Sequence, residues 1–150
     1  MEIVEFAPQH GEAFRALNEA WISKYFTIEA KDREVLDDPH GKIVAKGGRI
    51  FMALKDGEAV GCVALLTMAD GGYEVAKMTV SETMRGSGLG RLLLERCIEA
   101  GAEDGASRLY LETNSSLAPA LALYRAAGFK DLAPAKTEYV RADVFMERRY

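Results

Sequence analysis

The sequence is poor in the residues that build metal centres and covalent cross-links. It has two cysteines, Cys62 and Cys97, and two histidines, His10 and His40. The cysteines lie in apolar surroundings, one strand-like and one helix-like, without metal-ligand spacing, and a pair makes no disulfide framework. They read as small buried hydrophobes, and no metal is expected. The histidines sit in or beside loops, belong to no constellation of nucleophile, base or ligand, and read as solvated. No uninterrupted apolar run approaches the roughly 18 to 20 residues that span a bilayer. The opening "MEIVEFAPQH" carries acids and lacks the sustained apolar core of an export signal. The expectation is a cytoplasmic protein that engages no membrane. Basic charge is scarce as well. A net charge of −4 argues against nucleic acid, whose phosphates call for a basic surface, and the terminal "ERRY" reads as a solvated end. There is no internal repeat, low-complexity tract or long linker, and 150 residues fit one domain, 1–150, with its own core.

What the chain does contain is clear periodicity. "EIVEF" is a short strand. From Pro8 to about Phe26, Phe14, Leu17, Trp21 and Tyr25 recur at helical spacing, and "KDREVLDD", ending at Pro39, reads as a second short helix. "RIFMALKDGEAVGCVALLTM" places two apolar segments around Asp56-Gly57, a pair suited to a tight primed hairpin turn. A second turn at Asp70-Gly71-Gly72 leads into the strand "YEVAKMTV", which completes three adjacent antiparallel strands. Leu89, Leu92, Leu93, Cys97 and Ala100 form one helix face, with Gly101 or Gly105 positioned to end it. "SRLYLET" is a further strand, "APALALYRAAGF" a helix ending at Gly128, and "TEYVRADVFMERRY" a final alternating strand. The fold class is mixed α/β, with a sheet that is antiparallel early and gains a parallel pair later.

Between the strand "YEVAKMTV" and the following helix lies "RGSGLGR", Arg85 to Arg91. Glycine costs a helix interior about 1 kcal/mol relative to alanine, so three glycines at a helix start need a reason. A helix start leaves backbone N–H groups unpaired. Those donors and the helix dipole favour an anion, and glycines let the backbone approach a phosphate without a Cβ in the way. Arg85 and Arg91 offer charge-assisted contacts. The physical reading is a pyrophosphate cradle, against a plain glycine-rich connection. Two familiar cradles do not fit. A P-loop needs Lys followed by Ser or Thr after its last glycine, where this chain has Arg91-Leu92, and the dinucleotide fingerprint needs a glycine where Arg91 stands.

The segment resembles the acetyl-CoA site of the GNAT N-acetyltransferase superfamily. "RGSGLG" is similar to that family's Q/R-x-x-G-x-G/A pattern, with Arg85, Gly88 and Gly90 at the fixed positions. "RLYLETNSSLAPALALYRAAGF" resembles the family's next strand and helix, including a Tyr-x-x-x-Gly-Phe ending at Tyr124, Gly128 and Phe129. These blocks cover roughly the second half of the chain, and the first half agrees in element order alone. The resemblance implies a central, mostly antiparallel sheet flanked by about four helices, with strands that splay apart to admit the pantetheine arm. It also implies acetyl-CoA as acyl donor and a primary amine as acceptor, on a small molecule, amino acid or peptide. Main-chain groups around Met78, Thr79 and Val80 would hold the pantetheine, and the amides of Arg85, Gly86, Ser87, Gly88, Leu89, Gly90 and Arg91 the pyrophosphate. Asn114 would bond the CoA arm. One departure is Leu117, where many relatives carry asparagine seven positions before the helix tyrosine. Family domains often pair through strands, so a homodimer is also an expectation.

Direct transfer from thioester to amine needs alignment, a donor for the carbonyl oxygen, a base and an acid. The resemblance makes Tyr124 the acid for the departing thiolate and cofactor-contacting as well; from its helix alone it reads as core. A strand-bound glutamate needs a partner or a function, which singles out Glu112, on the face of Tyr110, and Glu74, on the face of Ala76 and Met78 if alternation holds. Glu112 is preferred as base for its nearness to the cofactor gap, with Glu74 next. Lys77 reads as a structural or substrate-side charge. Trp21 reads first as core, and Glu29 and Asp32 read either as solvated loop or as contacts for a cationic acceptor. The alternative to an enzyme is a non-catalytic acyl-CoA-binding regulatory module with the same fold.

Overall fold

Turn chemistry sets the centre of the fold. The protein was analysed as a computed structural model that describes residues 1–150. Asp56 and Gly57 both adopt positive φ, 51° and 81°, as a primed two-residue turn requires. They join β2 (Arg49–Lys55) to β3 (Glu58–Thr67) as an antiparallel hairpin. β4 (Tyr73–Val80) continues the meander, and β1 (Glu2–Glu5) pairs with β2 on the outer side. Beyond β4 come β5 (Arg108–Thr113), β7 (Val144–Arg149) and the two-residue β6 (Lys130–Asp131). The seven strands run in the order β1-β2-β3-β4-β5-β7-β6, and β4–β5 is the parallel pair. The result is the mixed α/β sheet that the sequence pattern predicts.

Each face of the sheet buries its own apolar set. α1 (Gly11–Tyr25) and α2 (Ala30–Asp37) cover one face, where Phe14, Ile22 and Leu36 pack on Ile50, Met52, Cys62 and Ala64. α4 (Leu89–Glu103) and α5 (Ala118–Ala126) cover the other, where Leu93, Leu94, Cys97 and Leu121 pack on Val63, Leu65, Val75, Leu109 and Leu111. α3 (Pro39–Lys42) is a single turn after α2. α4 ends where Gly105 takes φ 71° and the Ala106 N–H returns to the Gly101 carbonyl at 2.8 Å, the 6→1 bond of a Schellman cap. Gly105 is therefore the stop, and Gly101 lies inside the helix. Both cysteines are free and buried, as their apolar surroundings indicate.

Two sequence expectations change at the C-terminus. The segment from Thr137 to Asp143 is not strand but a loop folded back over the sheet, and β7 begins only at Val144. Its side chains bond across to other elements, which removes them from a strand ladder. "ERRY" is not a loose end either. It completes β7 between β5 and β6, with Glu147 paired to Arg108 at 3.0 Å and the Tyr150 hydroxyl donating to the Ile98 carbonyl at 2.6 Å.

The first turn of α4 lies close on β3. A Cβ at Gly61 would stand 3.0 Å from Leu89, 3.1 Å from the Thr79 carbonyl and 3.3 Å from Leu93. Gly61→Val should push the helix start away and lower the unfolding free energy by about 1–3 kcal/mol, as overpacking generally does. Urea denaturation measures this, and an unchanged midpoint would contradict the close approach.

Candidate active site

β4 and β5 begin as neighbours and then separate. Their ladder holds only at Tyr73↔Leu109 and Glu74↔Tyr110, although β4 runs on to Val80 and β5 to Thr113. The separation opens a cleft of about 260 Å³ through the sheet. Its wall includes Glu74, Lys77 and Met78–Val80 from β4, Glu112 and Asn114 from β5 and beyond, and Tyr124 from α5. Trp21, Phe26, Tyr139 and Arg141 close it on the α1 side.

A bulge in β4 decides which side chains face which way. Ala64 pairs with Ala76 and Cys62 with Thr79, so Val63 alone opposes both Lys77 and Met78. Lys77 takes φ 56°, a left-handed conformation that costs a non-glycine residue about 1–2 kcal/mol. The alternation expected along "YEVAKMTV" breaks here, which corrects the shared face of Glu74 and Met78. Met78 packs against the core cluster on the α4 side, to which Val75 and Leu111 belong. Lys77 reaches α2 on the opposite side, and Thr79 turns to Cys62, its hydroxyl 3.6 Å from the thiol sulfur.

The two candidate carboxylates flank the gap on the α2 side. Leu109 and Leu111 point to the α4 side, so Tyr110 and Glu112 take the other face. Glu112 has both oxygens occupied, accepting from the Tyr110 hydroxyl at 2.9 Å and the Thr137 hydroxyl at 2.5 Å. Glu74 has no such partner. Burial, and after it the neighbouring Glu112 carboxylate, push its carboxyl up to about 7. Tyr124 stands on the other face, its ring 6.0 Å from that of Phe129. No buried side-chain polar atom lacks a partner, and the Tyr124 hydroxyl has none in the chain, so its oxygen opens to the cleft. Burial pushes this phenol up to about 12, which keeps it protonated at neutral pH. The cleft joins the Glu74 carboxyl on one face of the sheet to the Tyr124 hydroxyl on the other.

The glycine loop continues from Arg85, which lines the cleft. Gly86 and Gly88 take φ 74° and 84°. These turns leave the amides of Gly86, Gly88, Gly90 and Arg91 without acceptors in the chain, while Arg85 and Ser87 donate to the Glu82 and Met84 carbonyls and Leu89 to the Ser87 hydroxyl. A Cβ at Gly90 would meet only Leu123 at 3.6 Å. Packing therefore does not demand glycine at Gly90, and the open donors at the start of α4 fit a phosphate group. Arg85 stacks over Tyr25, 5.7 Å from its ring centre, and Arg91 is exposed beside Glu95. Asn114 is engaged at both ends, donating to the Arg141 carbonyl at 2.7 Å and accepting from Ser116 N–H at 2.8 Å.

Sequence reasoning missed a buried ionic cluster on the α2 side. Asp32 is fully buried and accepts from Lys77 at 2.5 Å, from Arg141 at 2.7 and 2.8 Å, and from the Glu29 amide at 2.9 Å. Burial opposes its ionisation, but the bonds from Arg141 and Lys77 hold the carboxyl well below the usual range. Glu29 is likewise committed, to the Val140 amide and Arg141. Neither acid is a solvated loop residue or free to meet an acceptor. Tyr139 donates nothing to Asp32 but accepts from Lys77 at 3.2 Å. The signal is hidden because the loop residues read as strand and the acids that pair with Arg141 lie over a hundred positions away. Trp21 is half-buried, packing on the core while lining the cleft, and His10 accepts from the Ala7 amide at 2.9 Å rather than standing free in solvent.

The Glu74 environment gives a stability signature. The native state holds a proton that the unfolded chain releases near its ordinary value of 4.5, so stability falls as pH rises from there through about 7. The loss should be roughly 3–4 kcal/mol, at about 1.4 kcal/mol per unit. Glu74→Gln should flatten this slope and exceed the native protein in stability above about pH 7. Urea denaturation across pH tests it, and parallel slopes for both proteins would contradict the assignment.

Comparison with known proteins accords with this geometry. The family model described as "Acetyltransferase (GNAT) family" matches residues 12–129. The chain is 44% identical over 87 residues to an IAA acetyltransferase of Azospirillum brasilense, a match covering 57% of each protein. The chain thus spans little more than half the length of that relative. It is 34% identical over 137 residues to the uncharacterised N-acetyltransferase YjgM of Escherichia coli, covering 85% of this chain and 82% of the relative. In fold, it matches a GNAT-family acetyltransferase of Staphylococcus aureus with a TM-score of 0.89 at 20% identity, over 99% of this chain and 98% of that one. A PaiA N-acetyltransferase of Thermoplasma acidophilum, solved in complex with coenzyme A, matches with a TM-score of 0.81 at 18% identity over the same shares. With its splayed β4–β5 pair, open loop amides and cleft-facing tyrosine, the chain belongs to the GNAT acetyltransferase family.

Proposed function

We propose that the protein, acting as one domain, transfers the acetyl group of acetyl-CoA directly to a primary amine. The observation that carries this reading is the placement of Glu74 and Tyr124 on opposite faces of the sheet with one cleft between them. The free amides of Gly86, Gly88, Gly90 and Arg91 receive the pyrophosphate, and the edge of β4 from Met78 to Val80 guides the pantetheine. The thioester then lies in the gap, and the amine approaches from the side of Trp21 and Phe26.

Glu74 is the base in this reading. It lacks a hydrogen-bond partner in the chain and burial pushes its carboxyl up to about 7, whereas the Glu112 oxygens are held by two hydroxyls. Glu112 serves by raising Glu74. An amine arrives mostly protonated at neutral pH; Glu74 takes its proton, and the freed lone pair attacks the thioester carbonyl. A backbone N–H at Met78 or Thr79 meets the charge that gathers on the carbonyl oxygen. The carbon–sulfur bond breaks, Tyr124 gives its proton to the departing thiolate, and the excess proton of the acetylated nitrogen passes to the tyrosinate, which leaves a neutral amide and restores the phenol. Glu29 and Asp32, which the sequence leaves as either solvated loop or acceptor contacts, have no part in this, since both are internally paired.

Calorimetric titration with acetyl-CoA should show saturable binding that Gly88→Glu abolishes, because that side chain would enter the cradle. Across a panel of amines, Tyr124→Phe should lower kcat by about 10²-fold while acetyl-CoA affinity holds, and Glu74→Gln should lose a rate that rises with pH through about 7. Binding without transfer to any amine would favour the regulatory module instead, and absence of binding would overturn the donor assignment.

A further inference from the structure

Residue 77 is an unusual place for a lysine. A bulge of this kind, with its first residue in the left-handed region, is normally built with glycine. Here a long cationic side chain occupies it, and its ammonium is almost wholly enclosed. Burial draws the Lys77 amine toward its neutral form while the Asp32 carboxylate opposes that change. The side chain is tied at its far end to Asp32 at 2.5 Å and Tyr139 at 3.2 Å, with the ammonium 4.8 Å from the centre of the Tyr139 ring. At its near end, the Lys77 carbonyl accepts from the Cys62 thiol at 3.5 Å. The residue is gripped from α2, from the loop before β7 and from β3 at once.

Asp32 is equally over-determined. Two nitrogens of Arg141 fork onto its two oxygens, and the Glu29 amide fixes it from its own helix start. The guanidinium in turn lies 4.6 Å from the Tyr139 ring centre. Every one of these groups is satisfied internally, so the cluster presents no free charge to a ligand. What it touches is the bulge itself, whose residues Lys77 and Met78 stand outside the β3 ladder beside the cleft.

We infer that Asp32 and Lys77 form a positioning clamp, in which the buried ion pair holds the left-handed backbone at residue 77 and so aims the amide of Met78, the second residue of the bulge, into the gap between β4 and β5. The inference rests on the acetyl-transfer reading for its kinetic consequence, but the clamp itself is a statement about backbone conformation. Lys77 acts through its backbone here and is not a catalytic residue. Glycine adopts the left-handed region without a clamp; methionine matches lysine in length but lacks the charge.

The test compares Lys77→Met, Lys77→Gly and Asp32→Asn with the native protein. Lys77→Met should lower kcat by about tenfold or more with the KM for acetyl-CoA within about threefold, since alignment in the transition state is lost while the phosphate loop is intact. Lys77→Gly removes the same charge and should recover most of that loss. Asp32→Asn leaves lysine in place, and should lower kcat as Lys77→Met does. Backbone carbon chemical shifts at residue 77 give a readout that needs no activity: left-handed in the native protein, extended in Lys77→Met and Asp32→Asn. Equal loss in Lys77→Met and Lys77→Gly would assign the effect to the ammonium and overturn the clamp. Native kcat, or left-handed shifts, in Asp32→Asn would overturn it as well. If the native protein transfers to no amine, the acetyl-transfer reading fails and the shifts alone decide the clamp.

Discussion

The short pairing between β4 and β5 is the constraint on which the rest of the structure depends. A parallel pair that stayed in register to the end of β5 at Thr113 would seal the sheet from Glu74 as far as Lys77 and close the passage between its faces there. Because the ladder ends at Glu74↔Tyr110, the cleft passes through the sheet, and groups on opposite faces come to share one space. Each face is anchored separately, by α1 and α2 on one side and α4 and α5 on the other. The gap can therefore stand open without loss of either core.

That arrangement also sorts the chemistry. The α4 side carries the unpaired loop amides and Tyr124, the groups to which the proposed function gives the anionic cofactor and the departing thiolate. The α2 side carries Glu74 and Glu112, where burial, and after it the Glu112 carboxylate, push the Glu74 carboxyl up to about 7. The nearby charges Asp32, Lys77, Arg141 and Glu29 cancel by pairing with one another. Breaking one member of such a buried set would leave its partner uncompensated, which makes the cluster a rigid wall rather than an adjustable one.

Much of the fold was legible because its signals are local. Asp56-Gly57 announces a primed turn by residue type, the apolar periods mark α1 and α4, and the glycines of "RGSGLG" mark a helix start with open donors. Site elements that depend on long-range pairing were not legible. The bulge at Lys77 leaves no compositional trace, since the residue there is not glycine, and it reverses which face Met78 takes. Glu112 looked the better base from its position beside the gap; its two hydroxyl partners, one of them Thr137 from a loop that reads as strand, could be seen only in three dimensions. The same loop supplies Tyr139 and Arg141, whose alternating polar and apolar neighbours imitate a strand.

The most direct test of the account is a titration of the isotope-labelled protein with acetyl-CoA, followed by backbone amide resonances. The cleft and cradle described here predict concentration-dependent shifts at Gly86, Gly88, Gly90 and Arg91, accompanied by shifts along Met78–Val80 and at the end of β5. Shifts confined to other surfaces, with the glycine loop and the β4–β5 gap unmoved, would contradict it.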